Sequence, residues 1–196
     1  MLSKPAIFAE KIFYYESAIE SPHELVYAIE ASDELLLDSS LISSWHTWSA
    51  SNDSYVFGKR KTTNEEKFDS ASESVKLIYS LLKNTLSDYG TDYANSLGIK
   101  LGTQMPISIS KYFTGASMGV HTDSSPNPTT EHISAVLYLN DDYSGGEIAF
   151  PEQGVVIKPS AGSLVIFPST PPFFHESREI ISGTKYMSPA FWHLLD

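Results

Sequence analysis

From Pro106 onward, apolar and polar positions alternate in short runs. In PISISKYF, Ile107, Ile109 and Phe113 fall on one side and Ser108, Ser110 and Tyr112 on the other. That period of two marks a half-buried strand. HISAVLYLN, GEIAF, GVVIK, SLVIF, FFHES and TKYMSPAFWH follow, separated by the turn-forming DDYSGG, PEQG, PSAG, STPP and IISG. Many short strands without intervening helices predict a sandwich or jelly roll.

Before residue 105 the period changes. SPHE announces a first helix: Ser21 as cap, Pro22 at the first helical position and Glu24 completing a capping box. Leu25, Ile29 and Leu36 supply its apolar face through about Leu37. Between about Glu65 and Tyr89, the residues Val75, Ile78, Leu82, Leu86 and Tyr89 recur at three- and four-residue steps, which predicts a second amphipathic helix. The intervening SWHTWSASNDSYVFGKRKTTN is polar, aromatic and irregular, and reads as a surface loop or as a flap over a binding site. The expected architecture is mainly β with N-terminal helices, the helices covering one sheet.

A chain of 196 residues suits a single domain, here 1–196. Hydrophobic content of 41% supports a packed core, and the absence of cysteine removes disulfides, thiolate metal sites and cysteine nucleophiles. The start is a poor secretory signal and no apolar run reaches the length of a membrane span, so the expectation is a soluble, cytoplasmic protein with no membrane partner. The formal net charge of −11 argues against a nucleic-acid partner. The single basic cluster, Lys59-Arg60-Lys61, reads as a solvated loop.

The chemistry concentrates around His121-Thr-Asp123. In an extended strand, residues i and i+2 point the same way, so an imidazole and a carboxylate face one side. The pattern alone is weak. His175 on a late strand is the candidate third ligand, with His132, nearer in sequence, as the alternative. Two histidines and one carboxylate on one face of an octahedron leave open positions, the arrangement of non-haem Fe(II) sites. Lys185, ten residues after His175, is either an exposed strand-end lysine or an interior ammonium that needs an anionic partner. A dicarboxylate co-substrate would serve, with Tyr112 donating to the same carboxylate and Ser134 facing the cofactor beside it. Phe191 and Trp192 read as barrel packing, with one of them lining the co-substrate pocket as the alternative; His23 and His193 read as structural or exposed.

YFTGASMGVHTD, ISAVLYLNDDYSGGEIAFPE, VVIKPSAGSLVIFPS and HESREIISGTKYMSPAFW together resemble, in order, the prolyl 4-hydroxylase-like branch of the 2-oxoglutarate/Fe(II) dioxygenases. The resemblance covers about residues 105–193. It implies a double-stranded β-helix (jelly roll), with 1–104 as helical support and flap and 105–196 as the core carrying the metal site. It further implies Fe(II) on His121, Asp123 and His175, 2-oxoglutarate with its distal carboxylate on Lys185 and Tyr112, and O2 as second co-substrate. The product would be a hydroxylated C–H bond, with a prolyl residue of a peptide or protein as the leading substrate. Tyr186 stands where the family often has tryptophan, and SSPNPTTEH is particular to this chain. Competing expectations are a hydroxylase of a free amino acid or other small molecule, a non-catalytic jelly-roll binding module, and a zinc hydrolase using the same ligands. The oligomeric state is not legible.

Overall fold

The computed structural model describes residues 2–32, 42–49, 54–64, 72–123 and 132–195, with backbone alone for 42–49 and 54–64. The expected helical contribution of Leu36 and Leu37, the helix start at Glu65 and the 124–131 stretch lie outside the described residues. So do the side chains of Trp45, His46, Trp48 and Lys59-Arg60-Lys61.

Strands β1 (Ala6–Phe8) and β2 (Ile12–Tyr15) open the chain, then helix α1 (Pro22–Glu30). β3 (Ile42–Ser49), β4 (Ser54–Asn64), the long helix α2 (Glu73–Leu97), β5 (Lys100–Gln104), β6 (Ser108–Phe113) and β7 (Met118–His121) follow. The C-terminal part holds β8 (His132–Tyr138), β9 (Ser144–Gly145), β10 (Ile148–Phe150), β11 (Val155–Ile157), β12 (Leu164–Pro168), β13 (His175–Ser177), β14 (Ile180–Ser182) and β15 (Thr184–Leu195).

The described strands form three antiparallel sheets. The largest runs β1-β2-β12-β8-β15-β6-β4-β3, with β5 added on β15; a smaller one runs β11-β10-β13-β7; β14 pairs with β9. Alternation along the strands of the large sheet sorts side chains into two cores. On β12, Leu164 and Ile166 join the helix side while Val165 and Phe167 point between the sheets. Ile109 on β6, and Ile107 just before it, likewise meet the helices while Tyr112 points inward, as the period of two predicted. This is the jelly roll expected from the pattern, its large sheet backed by helices.

α2 carries the apolar stripe Val75, Ile78, Leu82, Leu86 and Tyr89, all buried. It starts at Glu73, with Ser72 as the cap accepting from the Val75 amide, and ends at Gly98 in the left-handed conformation. It therefore runs eight residues beyond Tyr89, straight through Gly90. A Cβ at Gly90 would lie 2.9 Å from Cζ2 of Trp192, so the glycine is there to let the helix approach the sheet. Trp192 packs on this outer face and not inside the barrel.

Three expectations about the N-terminal part need correction. Ser21 is in the left-handed region (φ 48°) and makes no side-chain cap, so the capping box does not form; α1 ends at Glu30. The segment expected as an irregular loop contains the paired strands β3 and β4, and β4 continues the large sheet alongside β6, with Arg60 opposite Tyr112. The region 1–104 is thus not only helical: β1 and β2 extend the opposite edge of the same sheet through β12.

Candidate metal and co-substrate site

His121 ends β7 and His175 begins β13; the two are directly opposite in the antiparallel register. That pairing is why residues 54 positions apart in sequence have ring centroids 4.4 Å apart. Asp123, two residues past His121, completes the cluster. Its Oδ1 lies 3.3 Å from His121 Nε2 and its Oδ2 3.3 Å from His175 Nε2. One ligand atom from each of the three lies within 4.8 Å of the others. His132, the alternative third ligand, is elsewhere, its Nε2 3.2 Å from His193 Nδ1 across the β8–β15 pair.

The backbone settles which ring nitrogens face the centre. His121 Nδ1 is 2.7 Å from the Gly119 carbonyl, and His175 Nδ1 is 3.2 Å from that of Phe173. A carbonyl oxygen only accepts, so each Nδ1 carries the hydrogen. In the neutral rings both Nε2 lone pairs then point at a carboxylate. Such an arrangement is repulsive unless the imidazoles are protonated or a cation sits among the three groups. Phe150 and Phe167 pack against the His175 ring, centroids at 5.8 and 4.6 Å, and fix its plane. Burial raises the Asp123 carboxyl, but with the imidazoles protonated, hydrogen bonding and charge from His121 and His175 outweigh it and hold the group well below the usual carboxylate range. An ionised carboxylate with two oriented Nε2 donors fits a divalent transition metal.

A cavity of about 420 Å³ opens from this cluster into the space between the sheets, lined by Tyr112, Lys185, Val136, Ile148, Met187 and Phe191 among others. β15 sends Lys185, Met187, Pro189 and Phe191 into it at two-residue steps. Phe191 therefore lines the cavity, which is the alternative to the packing reading. Lys185 is 1% exposed. Its ammonium donates to Ser177 Oγ at 2.6 Å and to the Gly146 carbonyl at 3.2 Å, and lies 4.9 Å from the centroid of Tyr112, its cross-strand partner. The Gly146 carbonyl is placed by a left-handed turn (φ 68°) where a Cβ would collide with Ile180 Cδ1 at 2.4 Å. Only glycine fits there.

Ser134 is not among the residues lining the cavity, contrary to the expectation of a cofactor contact. Its hydroxyl donates to Asp123 Oδ2 at 2.7 Å. Ser177, which holds the lysine, was missed, although its position two residues after His175 on one strand was the available signal. The neighbour of Ser134, Ser169, had no sequence signal.

With this geometry in place, comparison with known proteins shows what the strand-rich part of the chain is similar to. Residues 107–193 match the family model of the 2OG-Fe(II) oxygenase superfamily. That span, somewhat under half of the chain, is what is similar to the superfamily. Over 76 residues it is 36% identical to prolyl 3-hydroxylase 2 of Homo sapiens, covering 36% of this chain and 11% of that protein. Over 89 residues it is 34% identical to a PKHD-type hydroxylase of Shewanella sp. (strain ANA-3), covering 41% of this chain and 39% of the relative. The chain thus spans well under half the length of these curated relatives. A prolyl hydroxylase from Trichoplax adhaerens, in complex with a hypoxia inducible factor oxygen degradation domain peptide fragment, superposes with a TM-score of 0.66 at 18% identity. That match covers 95% of this chain and 84% of the other, and at that identity it shows the shared fold. The superfamily uses Fe(II), 2-oxoglutarate and O2, which fits the His121–Asp123–His175 donor set. Among the described residues no helix is long and apolar enough to cross a membrane.

Proposed function

We propose that the chain is a 2-oxoglutarate- and Fe(II)-dependent dioxygenase that hydroxylates an unactivated C–H bond of a prolyl residue in a peptide or protein. The observation that carries the reading is the convergence of His121, Asp123 and His175 at one end of a cavity that also encloses the Lys185 ammonium. The three side chains hold the metal. Once bound, the iron with 2-oxoglutarate and O2 supplies the oxidising power for hydroxylation, with succinate and carbon dioxide released.

The protein's own part is positioning and exclusion. Gly119 and Phe173 carbonyls lock the imidazole tautomers so that both Nε2 atoms face the metal. Lys185, immobilised by Ser177 and Gly146, offers a buried positive charge to the distal carboxylate of the co-substrate. Tyr112 lines the cavity beside it. The apolar walls formed by Val136, Ile148, Met187 and Phe191 keep water from competing for that charge.

The prolyl substrate is supported by the relatives named as prolyl hydroxylases and by the peptide bound to the Trichoplax protein. The test is a succinate-coupled screen, with Fe(II) and 2-oxoglutarate supplied, of proline-containing peptides against free amino acids. Turnover confined to peptides upholds the reading. Turnover on a free amino acid alone replaces it with a small-molecule hydroxylase, and no turnover that depends on iron and 2-oxoglutarate removes the enzyme reading altogether.

A further inference from the structure

We infer that Ser134 and Ser169 form a hydroxyl relay that positions the Asp123 carboxylate for metal binding; this rests on reading Asp123 as a metal ligand. Asp123 lies two residues beyond the end of β7, so the strand ladder does not fix its side chain. The anchor comes instead from β8. Ser134 Oγ is 2.7 Å from Asp123 Oδ2, and Ser169 Oγ is 2.6 Å from Ser134 Oγ. Both serines are fully buried.

The direction of the relay follows from proton counting. A hydroxyl has one hydrogen, and an ionised carboxylate only accepts. Ser134 gives its hydrogen to Asp123, so Ser169 must donate to Ser134. Ser169 is itself fixed, its amide donating to the His132 carbonyl at 2.9 Å. The chain therefore runs from a backbone-anchored hydroxyl, through a second, to the carboxylate. Chained hydrogen bonds polarise one another, and both hydroxyls are buried away from bulk solvent.

Two consequences follow for the centre. The carboxylate loses its rotational freedom before the metal arrives. Oδ2 also spends electron density on the Ser134 hydroxyl, which makes it the poorer donor and biases Asp123 toward binding through a single oxygen. A carboxylate that uses one coordination position leaves more open for co-substrates. Ser134 is a positioning residue here, acting through Asp123.

The test is titration of the apo-protein with Co(II), followed by its visible ligand-field absorption, in wild type, Ser134→Ala, Ser134→Thr, Ser169→Ala and Asp123→Ala. Circular dichroism establishes that each is folded. Outer partners of metal ligands contribute about 10- to 100-fold to affinity, so Ser134→Ala is expected to weaken Co(II) binding by about that factor and to alter the spectrum. Ser134→Thr, which keeps the hydroxyl, restores both, and Ser169→Ala shows a smaller shift in the same direction. If Ser134→Ala does not fold, Ser169→Ala carries the test. Co(II) affinity within twofold of wild type and a superimposable spectrum in the folded serine-to-alanine variant overturn the relay. Equal Co(II) uptake by wild type and Asp123→Ala instead overturns the metal-ligand reading beneath it.

Discussion

Lys185→Met removes the charge at the inner end of the cavity while nearly preserving side-chain length and apolar volume. In the native chain the ammonium is 1% exposed and held by two neutral acceptors, Ser177 Oγ and the Gly146 carbonyl. A hydrogen bond to a charged group contributes about 1.5–3 kcal/mol. At about 1.4 kcal/mol per tenfold, the variant should bind 2-oxoglutarate roughly 10- to 150-fold more weakly. The assay is anaerobic titration of the Fe(II)-loaded protein with 2-oxoglutarate, followed by the metal-to-ligand charge-transfer band. A 2-oxo acid lacking the distal carboxylate serves as comparison. Wild type should prefer the dicarboxylate by the same factor, and Lys185→Met should lose most of that preference. If the variant keeps wild-type affinity for 2-oxoglutarate, or loses affinity equally for both acids, Lys185 does not recognise the distal carboxylate.

Asp123→Ala should abolish iron-dependent succinate formation and weaken metal binding by more than the roughly 10- to 100-fold typical of outer partners, as read by Co(II) titration. Gly90→Ala should lower the melting temperature by up to several degrees. Forcing a methyl to within 2.9 Å of Trp192 costs about 1–3 kcal/mol, against about 1 kcal/mol gained in helix propensity; in a Trp192→Leu background the penalty should vanish. Stability should also fall as pH rises past the ordinary phenol range near 10. Burial, aided at Tyr15 by the Asp92 carboxylate, raises the pKa of Tyr15, Tyr93 and Tyr143 in the folded chain. The unfolded chain therefore releases protons that the native state retains, and each phenol contributes a loss of up to about 1.4 kcal/mol per pH unit. Urea midpoints at pH 8 and pH 11 measure this, and Tyr93→Phe should flatten the decline.

The sequence showed the centre better than its supports. The jelly-roll strands from β6 onward announced themselves through period-two alternation and turn residues, and the order of His121, Asp123, His175 and Lys185 along them was readable. What brings His121 to His175 is strand register, which no local pattern encodes. β3 and β4 were hidden because SSWHTWS and YVFGKRKTT show no clean alternation of apolar and polar residues, although threonine and aromatic residues favour strands. β1 and β2 are joined through Ala9 and Glu10, both at positive φ, where a hairpin normally shows asparagine or glycine. The helix continues past Tyr89 through Gly90, and the reason a glycine stands there, Trp192, lies 102 residues away in the sequence. The Ser134–Asp123 contact is of the same kind, since it depends on tertiary placement alone.

Anomalous diffraction at the metal edge from crystals loaded with Co(II) tests the central claim most directly. One strong peak is expected, bonded to Nε2 of His121, Nε2 of His175 and a carboxylate oxygen of Asp123. A metal held instead at the His132–His193 pair, with nothing bound among those three side chains, would contradict it.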